Sequence, residues 1–500
     1  MVNPKTIQPK SGLFPTPPLA VARHPGVLLG ARELRRWIDT LPLANPPKAG
    51  QMLLQQLRLL VRDPQPGPRL GGLLELYDAP LQELLAVVYE RLQNNPESAV
   101  PLDQLEHLLL ELLTELTYGQ LRMANDQLNM IKPAAAETLF RAGSLLDNAQ
   151  HLERLHYRRP TLQSWQLLLQ IFLLADRQQM AQQPIEAPLR RAEEPGSIQG
   201  LFFRALVISL CDPHHHQPRQ LMDWYHWTGR HTDLLELAIL PQGALAIPVD
   251  IGGTLTPLAA ARLGRPGPDT RYLATDRFMQ LLQEDDDAPQ GLHRALSDLI
   301  TGRKAPEQRQ TERQARSHPY RLVYGLRNIH RRLSEIVHGS APGGPGGTPQ
   351  ACVQVNQSRS GAAFQLHGPL NPPLTVGESV LAEEDASSEN GSPVGFVAQI
   401  RRLVSGDDHQ IEIGVEKIRG RLIPVQIIGA AAERARGDTH ALLLHATETG
   451  KYTLIAPRSV YRDGDLVAAE TPNTRYNMRM RRLGSVTLRT AYIDVEVADD

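Results

Sequence analysis

The sequence predicts a multidomain α+β chain: an α-helical N-terminal region followed by an all-β C-terminal part that contains an antiparallel barrel. Three observations predict it. The 500 residues allow about three domains at roughly 150 residues each. From about Gly30 to Gly302 apolar residues recur at helical spacing. Beyond the Gly- and Pro-rich run Ser340–Pro349 the period becomes two, and short runs rich in β-branched residues follow one another.

Residues 1–29 open with MVNPKTIQPKSGLFPTPP, polar and proline-rich without the apolar core of a secretory signal, and read as a flexible tail. Residues 30–194 read as a helical domain. In PLDQLEHLLLELLTELTYGQL, Leu102, Leu105, Leu109, Leu112, Leu113 and Leu116 share one broad face, with Asp103, Glu106 and Glu111 elsewhere. ARELRRWIDTL, GQMLLQQLRLLV, PLQELLAVVYERL and PTLQSWQLLLQIFLL repeat the pattern, and Pro160 suits a first helical turn. Residues 195–302 are mixed and mainly helical: LFFRALVISL and RQLMDWYHW, then the strand-like ALAIPVDIGG, then ATDRFMQLLQ and GLHRALSDLI. Trp37, Trp165, Trp224 and Trp227 all fall in this helical half and read as core or interface anchors.

Residues 303–350 read as a basic arm and a Gly/Pro linker. Residues 351–420 read as a β-barrel built from runs such as ACVQVNQ, GAAFQLHG, VGFVAQIRRLV and HQIEIGVEKI. Residues 421–500, with HALLLHAT, KYTLIAP and TLRTAYIDVEV, are additional β-structure that either completes one larger barrel or forms a second.

Composition excludes several function classes. The formal net charge of -1 provides no global field to gather nucleic acid polymers. Cys211 and Cys352 stand far apart, so neither a disulfide framework nor a Cys-rich zinc site is available, and a reducing cytoplasm fits. The most apolar windows fall short of the ~20 residues that cross a bilayer. Three adjacent histidines, His214 to His216, cannot all face one ion and read as a surface loop between helices, and Glu284 to Asp287 as a solvated acidic loop. GxSxG, GxxxxGK and HExxH patterns are absent, so a noncatalytic protein without metal or cofactor is expected.

The stretch VNQSRSG, Val355 to Gly361, carries the candidate site. Asn356 and Ser358 stand two apart where a strand is expected, which would aim both side chains at one face of the sheet. Gly361, without a Cβ, lets the backbone turn sharply or lets a flat ligand come close. These are also the commonest turn residues, so a plain turn competes. Upstream, QRQTERQARSHPYR places Arg309, Arg313, Arg316 and Arg321 in a cationic stretch with little apolar periodicity. Guanidinium groups suit bidentate contact with phosphate or the O6/N7 edge of guanine, and they stack on bases. One of the consecutive strand residues Arg401 and Arg402 is expected on the ligand side.

The spacing [Asp/Asn]-x-Ser-x-x-Gly is met by Asn356, Ser358 and Gly361. With the following VGFVAQIRRLVSGDDHQIEIGVEKI and its Gly414–Val415 pair, it resembles a PilZ domain over about Arg309 to Arg419. ARELRRWIDTLPLANP resembles the N-terminal region of PilZ-containing proteins of Gram-negative bacteria. The resemblance implies a six-stranded barrel that binds the bacterial second messenger cyclic di-GMP through an RxxxR arm and the Asn-Ser-Gly strand. Arg309 and Arg313 fit RxxxR, as do Arg327 and Arg331, whereas Arg316 and Arg321 are one residue too far apart. Arg313 stands about 40 residues before Asn356, with YGLRNIHRRLSEIVHG and the Gly/Pro run between. The implied ligand-binding set is Arg309, Arg313, Arg316, Asn356, Ser358 and Gly361. The expected protein is a cytoplasmic receptor relaying cyclic di-GMP to an unidentified protein partner through its helical region. The alternative is a degenerate PilZ-fold scaffold or adaptor that binds protein partners and no nucleotide.

Overall fold

The computed structural model describes residues 13–65, 69–94, 102–129, 135–185, 194–263, 266–302, 314–338, 349–368, 370, 373–384, 395–406, 410–435, 437–447 and 449–497. The helical region begins with α1 (Ala31–Ile38), α2 (Pro46–Val61), α3 (Leu70–Leu74), α4 (Asp78–Asn94), α5 (Leu102–Asn129), α6 (Ala135–Leu155) and α7 (Leu162–Arg177). The sequence starts these helices by local chemistry. The Asn45 side chain accepts from the Lys48 N–H ahead of the Pro46–Pro47 first turn of α2, and Thr161 accepts from the Ser164 N–H at the start of α7. The predicted leucine face of α5 is buried against α2 and α6: Leu105, Leu109, Leu112, Leu113 and Leu116 are almost inaccessible. Glu106 departs from the expected polar face. It is buried and lies 3.1 Å from His156, because the chain turning out of α6 covers it.

The mixed segment continues with α8 (Ile198–Leu210), α9 (Pro218–Arg230), β1 (Glu236–Ala238), β2 (Ile247–Asp250), α10 (Pro257–Leu263), β3 (Thr270–Ala274), α11 (Asp276–Glu284) and α12 (Leu292–Ile300). Its three strands form a small antiparallel sheet in the order β1-β3-β2. Trp165, Trp224 and Trp227 are buried in its core, as their sequence context predicts, and Trp37 packs half-buried on the core of the first helices. The acidic run after α11 is partly committed: Asp285 accepts from the indole N–H of Trp227 at 2.8 Å.

Two closed six-stranded antiparallel barrels follow. The first contains β4 (Gln314–Tyr324), α13 (Leu326–His338), β5 (Gln350–Gln357), β6 (Gly361–His367), β7 (Ser379–Glu384), β8 (Gly395–Ser405) and β9 (Gln410–Lys417). Its strands close in the order β4-β5-β6-β9-β8-β7. Residues 303–350 thus supply more than an arm and a linker. Tyr320 and Leu322 alternate into the barrel core and make β4 a wall strand, while the Leu326, Ile329 and Leu333 spacing makes α13 amphipathic. The second barrel contains β10 (Arg421–Ile428), α14 (Ala430–Arg434), β11 (His440–Ala446), β12 (Lys451–Pro457), β13 (Leu466–Glu470), β14 (Arg475–Val486) and β15 (Thr490–Val497). It closes as β10-β11-β12-β15-β14-β13, the strand order of the first barrel, with a helix again after the first strand. Residues 421–500 therefore form a barrel of their own.

The three bodies touch through a few specific contacts. Tyr157, in the left-handed region just after α6, sits in the core of the first barrel. Its hydroxyl accepts from the Val376 N–H at 3.1 Å and its carbonyl from the Ser405 N–H at 2.9 Å. Between the barrels, Ile329 of α13 and Val397 of β8 pack with Leu442 and Ile455 of the second barrel. Arg489 reaches Glu378 at 3.3 Å across the same junction. Among the described residues no helix is long and apolar enough to cross a membrane.

Candidate functional site

The VNQSRSG stretch forms the β5–β6 hairpin of the first barrel, and its geometry differs in one respect from the extended strand expected. β5 ends at Gln357, so Ser358 lies in the turn rather than on the strand face of Asn356. Its N–H donates to the Gly361 carbonyl at 2.8 Å, and its hydroxyl accepts from the Gly361 N–H at 3.1 Å. Hairpin closure overrides the period of two here, as the turn-forming chemistry of serine allows. Gly361 opens β6 as expected. A Cβ there would run into the Val415 carbonyl oxygen of β9, so the close approach that glycine permits is of a neighbouring strand.

Asn356 is half-buried and heads a row across the barrel wall. It lies opposite Ala363 on β6, Ala363 opposite Gly414 on β9, and Gly414 opposite Arg402 on β8. Phe364, Ile413, Val415 and Leu403 fill the core, so this row lies on the outer face. Two small residues separate an amide from a guanidinium over roughly 14 Å, three strand spacings at ~4.8 Å. The result is a shelf with an amide at one end and a guanidinium at the other, in which Ala363 is only 7% exposed.

Both Arg401 and Arg402 face this side, where one was expected. An irregularity of register between Ile400 and Arg402 inserts an extra residue in β8, which breaks the in-out alternation. Arg401 pairs with Glu416 at 2.7 Å and Arg402 with Glu412 at 2.5 Å. Their charge is therefore largely committed on the open wall. Arg309 and Arg313 lie outside the described residues. Arg316 belongs to β4, two strands from β6, and its side chain also lies outside the description. The second RxxxR match, Arg327 and Arg331, falls on α13, where Arg331 donates to Asn328 at 3.2 Å.

The histidine run does connect helices but is not simply surface. The turn Pro213–His215 packs against β8, and His214 is largely buried. Burial pushes the His214 imidazole down to about 4, Asp212 opposing and the Arg159 and Arg402 guanidiniums adding to the shift. Sequence reading missed this contact because no local pattern shows which strand a turn will meet. It also missed that Tyr157 plugs the barrel. A cleft of about 350 Å³ lies elsewhere, between α7 and the Ile251–Gly253 turn, lined chiefly by Leu169, Leu173 and Gln170. Its apolar floor and distance from the barrel wall leave it apart from the shelf. Among the described residues no group of His, Cys, Asp and Glu could hold a metal ion.

Fold and site together define a multidomain α+β protein in which a helical module is docked on the first of two repeated barrels, with a polar shelf on that barrel's wall. Residues 32–242, most of the helical module, match the family model described as the N-terminal domain of the cyclic-di-GMP receptor FimW. The match agrees with the sequence resemblance to cyclic di-GMP receptors that carry a long helical N-terminal region. No curated protein matches the chain.

Proposed function

We propose that the protein is a noncatalytic bacterial receptor for cyclic di-GMP, whose first barrel is PilZ-like and holds the nucleotide on the shelf that runs from Asn356 to Arg402. The observation that carries this reading is the Asn356-x-Ser358-x-x-Gly361 hairpin at the edge of a closed six-stranded barrel, behind a helical module that matches a cyclic-di-GMP receptor family. Asn356 hydrogen-bonds the ligand, and the turn closed by Ser358 and Gly361 fixes the angle of the hairpin. Arg309, Arg313 and Arg316 precede or open β4, the strand beside Asn356, and fold over the phosphates and guanine edges.

Relay to a protein partner follows from the docking contacts. A ligand that prefers one arrangement of arm and barrel biases what the barrel touches. The barrel touches the helical module at Tyr157 and at the His214 turn. The setting is cytoplasmic, where two buried free cysteines stay reduced.

Isothermal titration with cyclic di-GMP tests the reading. Heat with a defined stoichiometry is expected in the wild type and a large loss in Asn356→Ala combined with Arg313→Ala. One observation favours a degenerate scaffold instead: the Ser358 hydroxyl is already engaged within its own turn. A titration without heat selects that reading.

A further inference from the structure

The second barrel repeats the first beyond its strand order. In the first, the β5–β6 hairpin carries NQSRSG, with four residues between the last paired positions Gln357 and Ala362. In the second, the matching β11–β12 hairpin carries HATETG, with four residues between Ala446 and Lys451. Aligned by those pairs, Asn356, Ser358 and Gly361 fall on His445, Thr447 and Gly450, at the same spacing of two and five. The substitutions keep the chemistry in kind: a ring that donates and accepts for an amide, a hydroxyl for a hydroxyl, a glycine for a glycine. Gly450 has φ +66, so here the glycine supports a left-handed turn.

The repeat extends to the cations. Asn356 lies opposite Ala315 on β4, with Arg313 two residues earlier in the sequence. His445 lies opposite Arg421 on β10, with Arg419 two residues earlier. The side chains of Arg419 and Arg421 are exposed and make no hydrogen bond or ion pair among the described residues. On its other side His445 lies opposite Tyr452, and the two rings stack with centroids 4.5 Å apart and planes 18° from parallel. A guanidinium, an imidazole and a phenol thus stand side by side at the mouth of the barrel, on the inward-facing row of Leu443 and Leu454, whereas the irregularity between Gln354 and Asn356 turns Asn356 to the outer wall of the first barrel. Arg421 and its neighbour Arg419 can meet phosphate or the guanine edge, and the paired rings can stack under a base.

We propose that the second barrel is a diverged copy of the first and holds a second site for the same class of ligand, an anionic guanine dinucleotide, around Arg419, Arg421, His445 and Tyr452. This site rests on the reading of the first barrel as the cyclic di-GMP site only for the identity of its ligand.

Titration calorimetry of the full chain with cyclic di-GMP tests it on three proteins: wild type, Asn356→Ala, and Arg421→Ala combined with Tyr452→Ala, each with its melting curve recorded. Two equivalents in the wild type and one in each variant are expected. One equivalent in the wild type that Arg421→Ala/Tyr452→Ala leaves unchanged overturns the second site and keeps the first. One equivalent lost in Arg421→Ala/Tyr452→Ala but kept in Asn356→Ala supports the second site and removes the first. No heat in the wild type removes both. Should the double variant melt early, Arg419→Ala, a change on an exposed side chain, takes its place under the same outcomes.

Discussion

Replacing Tyr157 by phenylalanine removes one oxygen from the seam between the helical module and the first barrel. The side chain is only 4% exposed and its hydroxyl is the acceptor for the Val376 N–H at 3.1 Å. Burial pushes the phenol far above its usual range, so it stays neutral and the contact does not titrate under ordinary conditions. Without the oxygen a buried backbone donor loses its partner, at about 1–3 kcal/mol. At ~1.4 kcal/mol per tenfold change, the Val376 amide should exchange hydrogen roughly 5- to 150-fold faster. The Ser405 amide should keep its rate, since it donates to the Tyr157 carbonyl, which the substitution retains. Tyr157→Ala also empties an aromatic position in the barrel core, for a total of about 3–5 kcal/mol, and both amides should then open. Native-state hydrogen exchange read by mass spectrometry measures the two sites separately. Wild-type rates at Val376 in both variants would refute the claim that this side chain pins the module to the barrel.

Three further outcomes follow from the same structure. Gly361→Ala forces a methyl against the Val415 carbonyl and should destabilise the first barrel by about 1–3 kcal/mol, whereas Gly437→Ala, at a positive-φ turn open to solvent, should cost only about 1–2 kcal/mol through backbone strain; equal melting temperatures for wild type and Gly361→Ala would count against the close β6–β9 approach. Asp147→Asn strands the buried Arg204, whose Nε donates to Asp147 at 2.8 Å beside the Tyr225 hydroxyl at 3.0 Å, and a loss of about 3–5 kcal/mol is expected in chemical denaturation. His214 and His330 are held down to about 4, chiefly by burial, below an unfolded value of about 6.5. Below 6.5 the unfolded chain binds protons that the folded chain refuses, so stability is complete above that pH and falls as pH drops towards 4, by up to about 1.4 kcal/mol per unit for each ring. His214→Gln should flatten this slope in a pH series of urea titrations, and an unchanged slope would show that the ring is not buried against β8.

What the sequence determined by itself is local. The 3.6-residue leucine spacing set the helices, Asn45 and Thr161 set helix starts, and the switch to a period of two set the all-β C-terminal part. These are properties of a segment and its nearest neighbours, so they survive without knowledge of the fold. The Asn356-x-Ser358-x-x-Gly361 spacing was legible in the same way, and so in hindsight was His445-x-Thr447-x-x-Gly450 in HATETG, which differs from it by two conservative exchanges.

Tertiary structure decided the rest. The period of two could not tell one large barrel from two small ones, because closure depends on which distant strands pair: β4 with β7 and β10 with β13. It also could not see the extra residue in β8 that turns both Arg401 and Arg402 outward, since register is fixed by the partner strand. Nor could it place Tyr157, a residue of the helical half, inside a barrel where it meets Val376, 219 positions further along the chain. Burial against a remote surface leaves no periodic mark in the sequence; it exists only once the whole chain has packed.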